Sequence, residues 1–288
     1  SIKMSATKES LKEKQEKLVE EAEIKLAEKD RFKFDPVEHC YTLDGKRLHG
    51  VTTILGVIAK PMLIQWAANM AVDYIDENLL KTKVNVIDLG NEDVCVWVDC
   101  VLKEARVAHR KKKEDAGEKG SDVHSQIEAL VKEAIEKSGG VIDPLTKDTE
   151  NPQVEKFISW AVENKVRFLE SEKMVCSQES WYAGTMDLVL EMDGKKYIAD
   201  VKTSSAIYPE HFLQMAAYQG ALEEMNEHTD IAGAMVINLP KKGGFEIGYN
   251  YDYEGNRLAF LAALVLYKQL NAIGEPRKET KTKKVITI

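Results

Sequence analysis

The chain has 288 residues and a formal net charge of −8, from 40 Lys and Arg against 48 Asp and Glu. With 44% hydrophobic and 31% charged residues it has the composition of a globular protein, long enough for one large α/β domain or two small ones. No run approaches the roughly 20 apolar residues of a membrane-spanning helix, no apolar segment near Ser1-Ile2-Lys3-Met4 suggests a signal peptide, and the acidic balance argues against a protein that merely coats DNA.

In chain order, residues 5–30 read as a charged helix with a narrow stripe of Leu11, Leu18, Ala22 and Leu26. Residues 32–55 read as a hairpin around Asp44-Gly45, with Val51 to Leu55 extending the strand or starting a helix. Pro61 suits a first helical turn, and the helix runs on to Leu80. A loop over 81–93 leads to a long helix, Val94 to Glu118, interrupted by Gly117 and Gly120; Asp122 to Lys137 is helical again, closed by Ser138-Gly139-Gly140. After a loop over 141–152, the pattern predicts a helix from Val154 to Leu169, strands from Met174 to Lys202 and a helix from Pro209 to Glu227. Strands at Ala232–Asn238 and Phe245–Tyr249 and a last helix over 254–273 follow. The end carries Arg277, Lys278, Lys281, Lys283 and Lys284, and no repeat is visible. The four cysteines, Cys40, Cys95, Cys100 and Cys176, are too scattered for a disulfide framework and form no Cys-x-x-Cys pair, which points to a reducing compartment and away from zinc.

The chemistry concentrates in Gly184-Thr-Met-Asp187 through Asp200-Val-Lys202. Asp193-Gly194 favours a two-residue turn, so cross-strand partners sum to 387 and Asp187 falls opposite Asp200. Directly opposed side chains have Cβ atoms about 4.5–5.5 Å apart. Two carboxylates at that distance repel unless one is protonated or a cation lies between them. Lys202 projects from the same face, and Leu188, Leu190, Tyr197 and Ala199 form a core-facing side. Hard oxygen donors suit Mg²⁺ or Mn²⁺, and a neighbouring ammonium can orient water or neutralise phosphate charge. A plain hairpin with exposed charges is the alternative.

Gly184-Thr-Met-Asp187, Asp200-Val-Lys202, Gln214-Met-Ala-Ala-Tyr218 and the upstream Gly120-Ser-Asp-Val-His124 together resemble the PD-(D/E)xK nucleases of the RecB type. Within that group the closest likeness is to the mitochondrial genome maintenance exonuclease and related phage and bacterial exonucleases, over about residues 32–250. The resemblance implies an α/β (α+β) fold, a central mixed β-sheet flanked by helices, with a restriction-endonuclease-like core and helical N-terminal additions. It divides the chain into a charged helix (1–30), a nuclease domain (31–274) and a basic tail (275–288). Within the nuclease domain, about 56–170 is helical and about 171–250 holds the catalytic sheet and helix. It also implies that Asp187, Asp200, the Val201 carbonyl and His124 bind Mg²⁺ or Mn²⁺, that Lys202 is the catalytic lysine, and that Gln214 and Tyr218, four apart on one helix face, act beside it. Glu172 is a weaker candidate, with Glu170 and Glu179 competing and surface solvation the favoured reading for all three. No cysteine follows Cys176, so no iron–sulfur cluster is expected.

The implied activity is phosphodiester hydrolysis by a Mg²⁺/Mn²⁺-dependent deoxyribonuclease, leaving a 3′-hydroxyl and a 5′-phosphate. It would be an exonuclease preferring single strands or frayed ends, in replication, recombination or repair, with DNA as the partner and no membrane. The cytoplasm of a bacterial or phage-infected cell is the expected location. Arg106, Arg110, Lys111 and Lys113 would track the backbone, with a solvated helix as the alternative; Trp181 and Tyr182 would stack on an unpaired base or close the core. A structure-specific endonuclease and a non-catalytic DNA-binding subunit are the competing readings.

Overall fold

The computed structural model describes residues 31–58, 61–80, 92–143 and 149–274. The helix expected over 5–30, most of the 81–93 loop and the basic tail lie outside the described residues. The elements run β1 (Phe32–Asp35), β2 (Cys40–Leu43), β3 (Lys46–Gly50), α1 (Val51–Leu55), α2 (Pro61–Ile75) and a π-helical turn (Asp76–Leu80). They continue α3 (Glu92–Ser138), α4 (Pro152–Glu163), β4 (Arg167–Ser177), β5 (Tyr182–Met192), β6 (Lys195–Lys202), α5 (Pro209–Glu224), β7 (Ile231–Asn238), β8 (Glu246–Asn250) and α6 (Tyr253–Gly274). This is an α/β fold in which one mixed eight-stranded sheet is flanked by helices.

Two Asp-Gly turns set local registers. Asp44 and Gly45 have φ of 50° and 74°, Asp193 and Gly194 of 52° and 70°, the left-handed pair that a tight hairpin needs. Leu43 accordingly pairs with Lys46, and Met192 with Lys195.

The sheet is not a simple ladder. Strand β4 pairs antiparallel with β5 along its length, from Ser177 opposite Tyr182 to Arg167 opposite Glu191. That occupies one edge of β5. The other edge is shared: β3 pairs in parallel at Tyr182 and Ala183, and β6 pairs antiparallel from Leu188 to Met192. Between them, Gly184 to Asp187 has no ladder partner on that edge, so β3 and β6 part around a gap. Beyond β6 the sheet continues through a parallel β7 and an antiparallel β8.

Apolar side chains cover both faces. On one, Leu188, Leu190, Tyr197 and Ala199 pack with Val123, Ile127 and Val131 of α3 and Phe157 of α4. On the other, Val189 and Ile198 pack with Met215 and Leu222 of α5 and Phe260 of α6. The face that carries the acids and Lys202 is thus buried too, through Val189 and Ile198, as suits a sheet with helices on both sides.

Several boundaries differ from the sequence expectation. Helix α3 runs unbroken through Gly117 and Gly120; each glycine costs about 1 kcal/mol relative to alanine but leaves the backbone hydrogen bond intact. Helix α4 starts at Pro152, behind an Asn151 side chain that accepts from the Gln153 amide. It ends at Glu163 rather than Leu169, where the Asn164 amide group reaches back to the Trp160 carbonyl and Lys165 turns left-handed at φ 50°. Strand β4 therefore begins at Arg167, not Met174. Among the described residues no helix is long and apolar enough to cross a membrane.

Candidate active site

Asp187, Asp200 and Lys202 come together where β5 and β6 diverge. The predicted register of 387 holds from Met192–Lys195 to Leu188–Ala199, and the ladder then stops one pair short of the aspartates. In place of a backbone pair, the Val201 amide donates to Asp187 Oδ2 at 2.9 Å. The expectation of a regular opposed pair is corrected accordingly: the Asp187 carboxylate takes over a ladder hydrogen bond.

Strand β5 changes face at this point. Met186 and Leu188, two residues apart, belong to opposite cores, whereas an unbroken strand keeps alternate residues on one side. On the neighbouring strand Ser171 pairs with Leu188 and Lys173 with Met186, so Glu172 and Asp187 occupy the intervening position without pairing. Glu172 has φ 49°, a left-handed conformation that costs a non-glycine residue on the order of 1–3 kcal/mol. Its neighbours are anchored: Glu170 accepts from Lys173 at 2.9 Å and meets His228 at 3.0 Å, while Lys173 also pairs with Glu227. Glu172, Asp187 and Asp200 thus stand at one level on three adjacent strands.

This corrects the expectation that Glu172 is a solvated surface residue. Burial first, then the charges of Asp187 and Glu128, push its carboxyl up to about 7. Sequence reasoning also passed over Glu128, whose charge acts on Glu172, Asp187 and His124. The one usable signal was its spacing: four residues after His124, on the same helical face.

Asp200 is 1% exposed. Burial, with Asp187 adding repulsion, pushes its carboxyl up to about 6 despite the opposing pull of Lys202. The Lys202 ammonium lies 2.6 Å from Asp200 Oδ2, but without hydrogen-bond alignment; neither Asp200 oxygen has a hydrogen-bond partner among the described residues. Burial would depress the Lys202 pKa, yet Asp200 and Asp187 outweigh it and hold it above the ordinary lysine value. His124 presents Nδ1 at 3.8 Å from Asp187 Oδ2, and burial followed by the charge of Lys202 lowers its pKa, which favours a neutral ring.

A buried carboxylate with one oxygen against a single ammonium and the other with no partner among the described residues is costly and fits a hard cation as its partner. Mg²⁺ and Mn²⁺ commonly take one or two protein carboxylates and complete their shell with water. The cluster is not a preformed cage, however. Among the described residues no three His, Cys, Asp or Glu side chains are disposed to hold an ion as they stand, because Lys202 covers Asp200 and the Val201 amide engages Asp187.

Gln214 and Tyr218 of α5 form the adjoining wall, with Gln214 Nε2 donating to the Tyr218 hydroxyl at 3.0 Å. Tyr218 is buried and its hydroxyl feels the charges of Asp200 and Asp187. Gly184 permits this approach: a Cβ there would lie 2.5 Å from Tyr218 Cε1. On the β2 side the Tyr41 hydroxyl and Thr185 Oγ1 are 2.8 Å apart.

The expected DNA-contacting residues separate into distinct groups. Tyr182 is buried, donates its hydroxyl to the Ala217 carbonyl at 2.8 Å and packs against Phe260. It closes the core and is not available to stack on a base. Trp181 donates its indole N–H to the Arg47 carbonyl at 3.0 Å and packs on the β2–β3 hairpin, so it too serves the fold. Arg106, Arg110, Lys111 and Lys113 are exposed on α3, roughly 16–27 Å along the helix axis from His124 at 1.5 Å per residue. Lys111 is paired with Glu104.

Comparison with solved structures finds similarity to a chain from Eubacterium rectale described as a "Putative exonuclease". The TM-score is 0.31 and the identity 11%, over 81% of this chain and 97% of that one. No protein-family model matches the chain, and a search of curated proteins gives no match either.

Proposed function

We propose that the chain is a divalent-cation-dependent deoxyribonuclease acting from DNA ends, with Mg²⁺ or Mn²⁺ held by Asp187 and Asp200 and assisted by His124. The observation that carries this reading is Asp200: a fully buried carboxylate, neither oxygen hydrogen-bonded among the described residues, beside Asp187 and the partly buried Lys202 ammonium. A bound cation would supply Lewis-acid polarisation of a phosphoryl oxygen and an activated water. Lys202, released from Asp200, is placed to neutralise charge that develops on a phosphate. Glu172 adds a third carboxylate at the same level, able to accept a proton from water near neutral pH because its pKa lies at about 7. Gln214 and Tyr218 fix the wall against which the substrate backbone would lie, and the exposed Arg106, Arg110 and Lys113 offer a further electrostatic contact. The preference for ends and for unpaired DNA follows the motif resemblance to RecB-type exonucleases.

The test is digestion of end-labelled linear DNA, single- and double-stranded, in Mg²⁺, Mn²⁺ or EDTA, alongside a covalently closed single-stranded circle. Cation-dependent release of labelled product from linear DNA, an intact circle and no cleavage by Asp200→Ala are expected. An Asp200→Ala protein that degrades DNA at the wild-type rate would overturn the assignment. Cleavage of the circle would make the enzyme an endonuclease, and DNA binding without turnover in either cation would make it a binding subunit.

A further inference from the structure

The gap between β3 and β6 opens into a cleft of about 450 Å³, within the roughly 300–1,000 Å³ range of small-molecule sites. Its inner wall is Gly184, Thr185, Gln214 and Tyr218, so it begins at the candidate active site. Its outer wall comes from β3 and α1: Arg47, His49, Thr52 and Thr53, with Tyr267 of α6 closing the side.

The chemistry of this cleft is the reverse of that of the acidic centre. No described Asp or Glu lines it. Arg47 is exposed and, among the described residues, pairs with no carboxylate. Lys268 stands close enough for its charge to act on His49, as does Arg47. The ammonium of Lys268 donates to the Ser180 carbonyl at 2.8 Å and likewise has no carboxylate partner among the described residues. On this outer side, away from the carboxylates that act on Tyr41 and Tyr218 of the inner wall, Arg47 and the nearby Lys268 favour an anionic occupant. Thr52 and Thr53 add hydroxyl donors of the kind that hold phosphate oxygens. His49 meets Tyr267 edge-on, with ring centroids 5.2 Å apart, which gives the same cleft an aromatic wall for a base. A volume of this size takes one nucleotide and excludes a duplex.

We propose that this cleft is a subsite for a single unpaired nucleotide next to the phosphate being cleaved, its phosphate on the Arg47–Thr52–Thr53 side and its base along His49 and Tyr267. The proposal rests on the nuclease reading for the identity of the neighbouring centre, but its binding chemistry stands apart from catalysis. The subsite would make strand separation at the end a condition of entry.

The test is calorimetric titration of wild-type protein with thymidine 5′-monophosphate in EDTA, where the acidic centre offers a phosphate nothing, with inorganic phosphate as a second probe. Arg47→Gln and Thr53→Val alter exposed positions, and unchanged melting points show that each variant is folded. Arg47→Gln should weaken nucleotide binding by roughly ten- to a hundredfold, the range for one charge-assisted contact, and Thr53→Val by less; inorganic phosphate should bind more weakly than the nucleotide. Wild-type protein that binds no nucleotide, variants that bind it as tightly as wild type, or phosphate binding as tight as nucleotide binding would each overturn the subsite. Those results are separable from failure of the nuclease reading, which would appear as Arg47-dependent nucleotide binding in a protein that cleaves no DNA in Mg²⁺ or Mn²⁺.

Discussion

Replacing Asp200 with Asn should stabilise the cation-free protein while abolishing cleavage. At 1% exposure the ionised carboxylate has lost its water, and Asp187 repels it. Its pKa is pushed from 3.8 up to about 6. The folded protein therefore holds this proton more tightly than the unfolded chain does. Below pH 3.8 the carboxyl is neutral in both states and no penalty arises. As pH rises toward 6 the unfolded chain ionises freely and the folded one resists, so stability falls; above 6 the loss is complete. A displacement of about two pH units corresponds to about 3 kcal/mol. Asn is nearly isosteric with the neutral acid and removes that penalty. At roughly 2 °C or slightly more per kcal/mol for a chain of this size, the variant should melt on the order of 6 °C higher at pH 8 in EDTA and close to wild type at pH 4. Mn²⁺ should raise the wild-type melting point, by about 2.7 kcal/mol of added stability at a hundred times its dissociation constant, and should raise that of the variant far less. Thermal melts followed by circular dichroism across pH 4–8, with and without Mn²⁺, measure all of this. An unchanged or lower melting point for Asp200→Asn at pH 8, or an equal rise at pH 4 and pH 8, would refute the account of Asp200 as an unsatisfied buried charge.

Glu172→Gln should flatten the dependence of stability on pH between about 4.5 and 7, because the wild-type carboxyl is favoured neutral in the fold and loses stability on ionising; allowing for its partial exposure, the effect is about 1–2 kcal/mol, read from urea denaturation at pH 5 and pH 8. Gly184→Ala puts a Cβ 2.5 Å from Tyr218 Cε1, and overpacking of about 1–3 kcal/mol should lower the melting point and displace Tyr218, with cleavage falling in the same assay as Asp200→Ala. Tyr182→Phe removes the second donor from the buried, helix-bonded Ala217 carbonyl and should cost about 0.5–1.5 kcal/mol; single-stranded DNA affinity, measured by fluorescence anisotropy, should not change, and a marked loss would restore Tyr182 as a base-stacking residue.

Much of the centre was legible because it is local. Asp193-Gly194 is a turn that only one register satisfies, and counting outward from it places Asp187 and Asp200 on adjacent strands without knowledge of the rest of the chain. Lys202 follows from strand periodicity; helical periodicity puts Gln214 and Tyr218 on one face, and only the motif resemblance implied their place beside the centre. The whole sheet was not legible in this way. That β3 joins β5 on the same edge as β6, leaving Gly184 to Asp187 between them, is a long-range pairing, and no local propensity encodes it. Glu172 shows why the third acid was missed: the β4–β5 register that brings it level with Asp187 is a long-range pairing, and its left-handed backbone, flanked by Glu170 and Lys173 anchored on His228 and Glu227, breaks the alternation that a count along β4 assumes. Tyr182 errs in the opposite direction, an aromatic beside the motif that α5 and α6 bury. Short-range stereochemistry, in sum, dictated the turn, the register and the residue types of the centre. Packing between segments far apart in the chain dictated which carboxylate joins it, which ring is withdrawn from it, and that a cleft opens beside it.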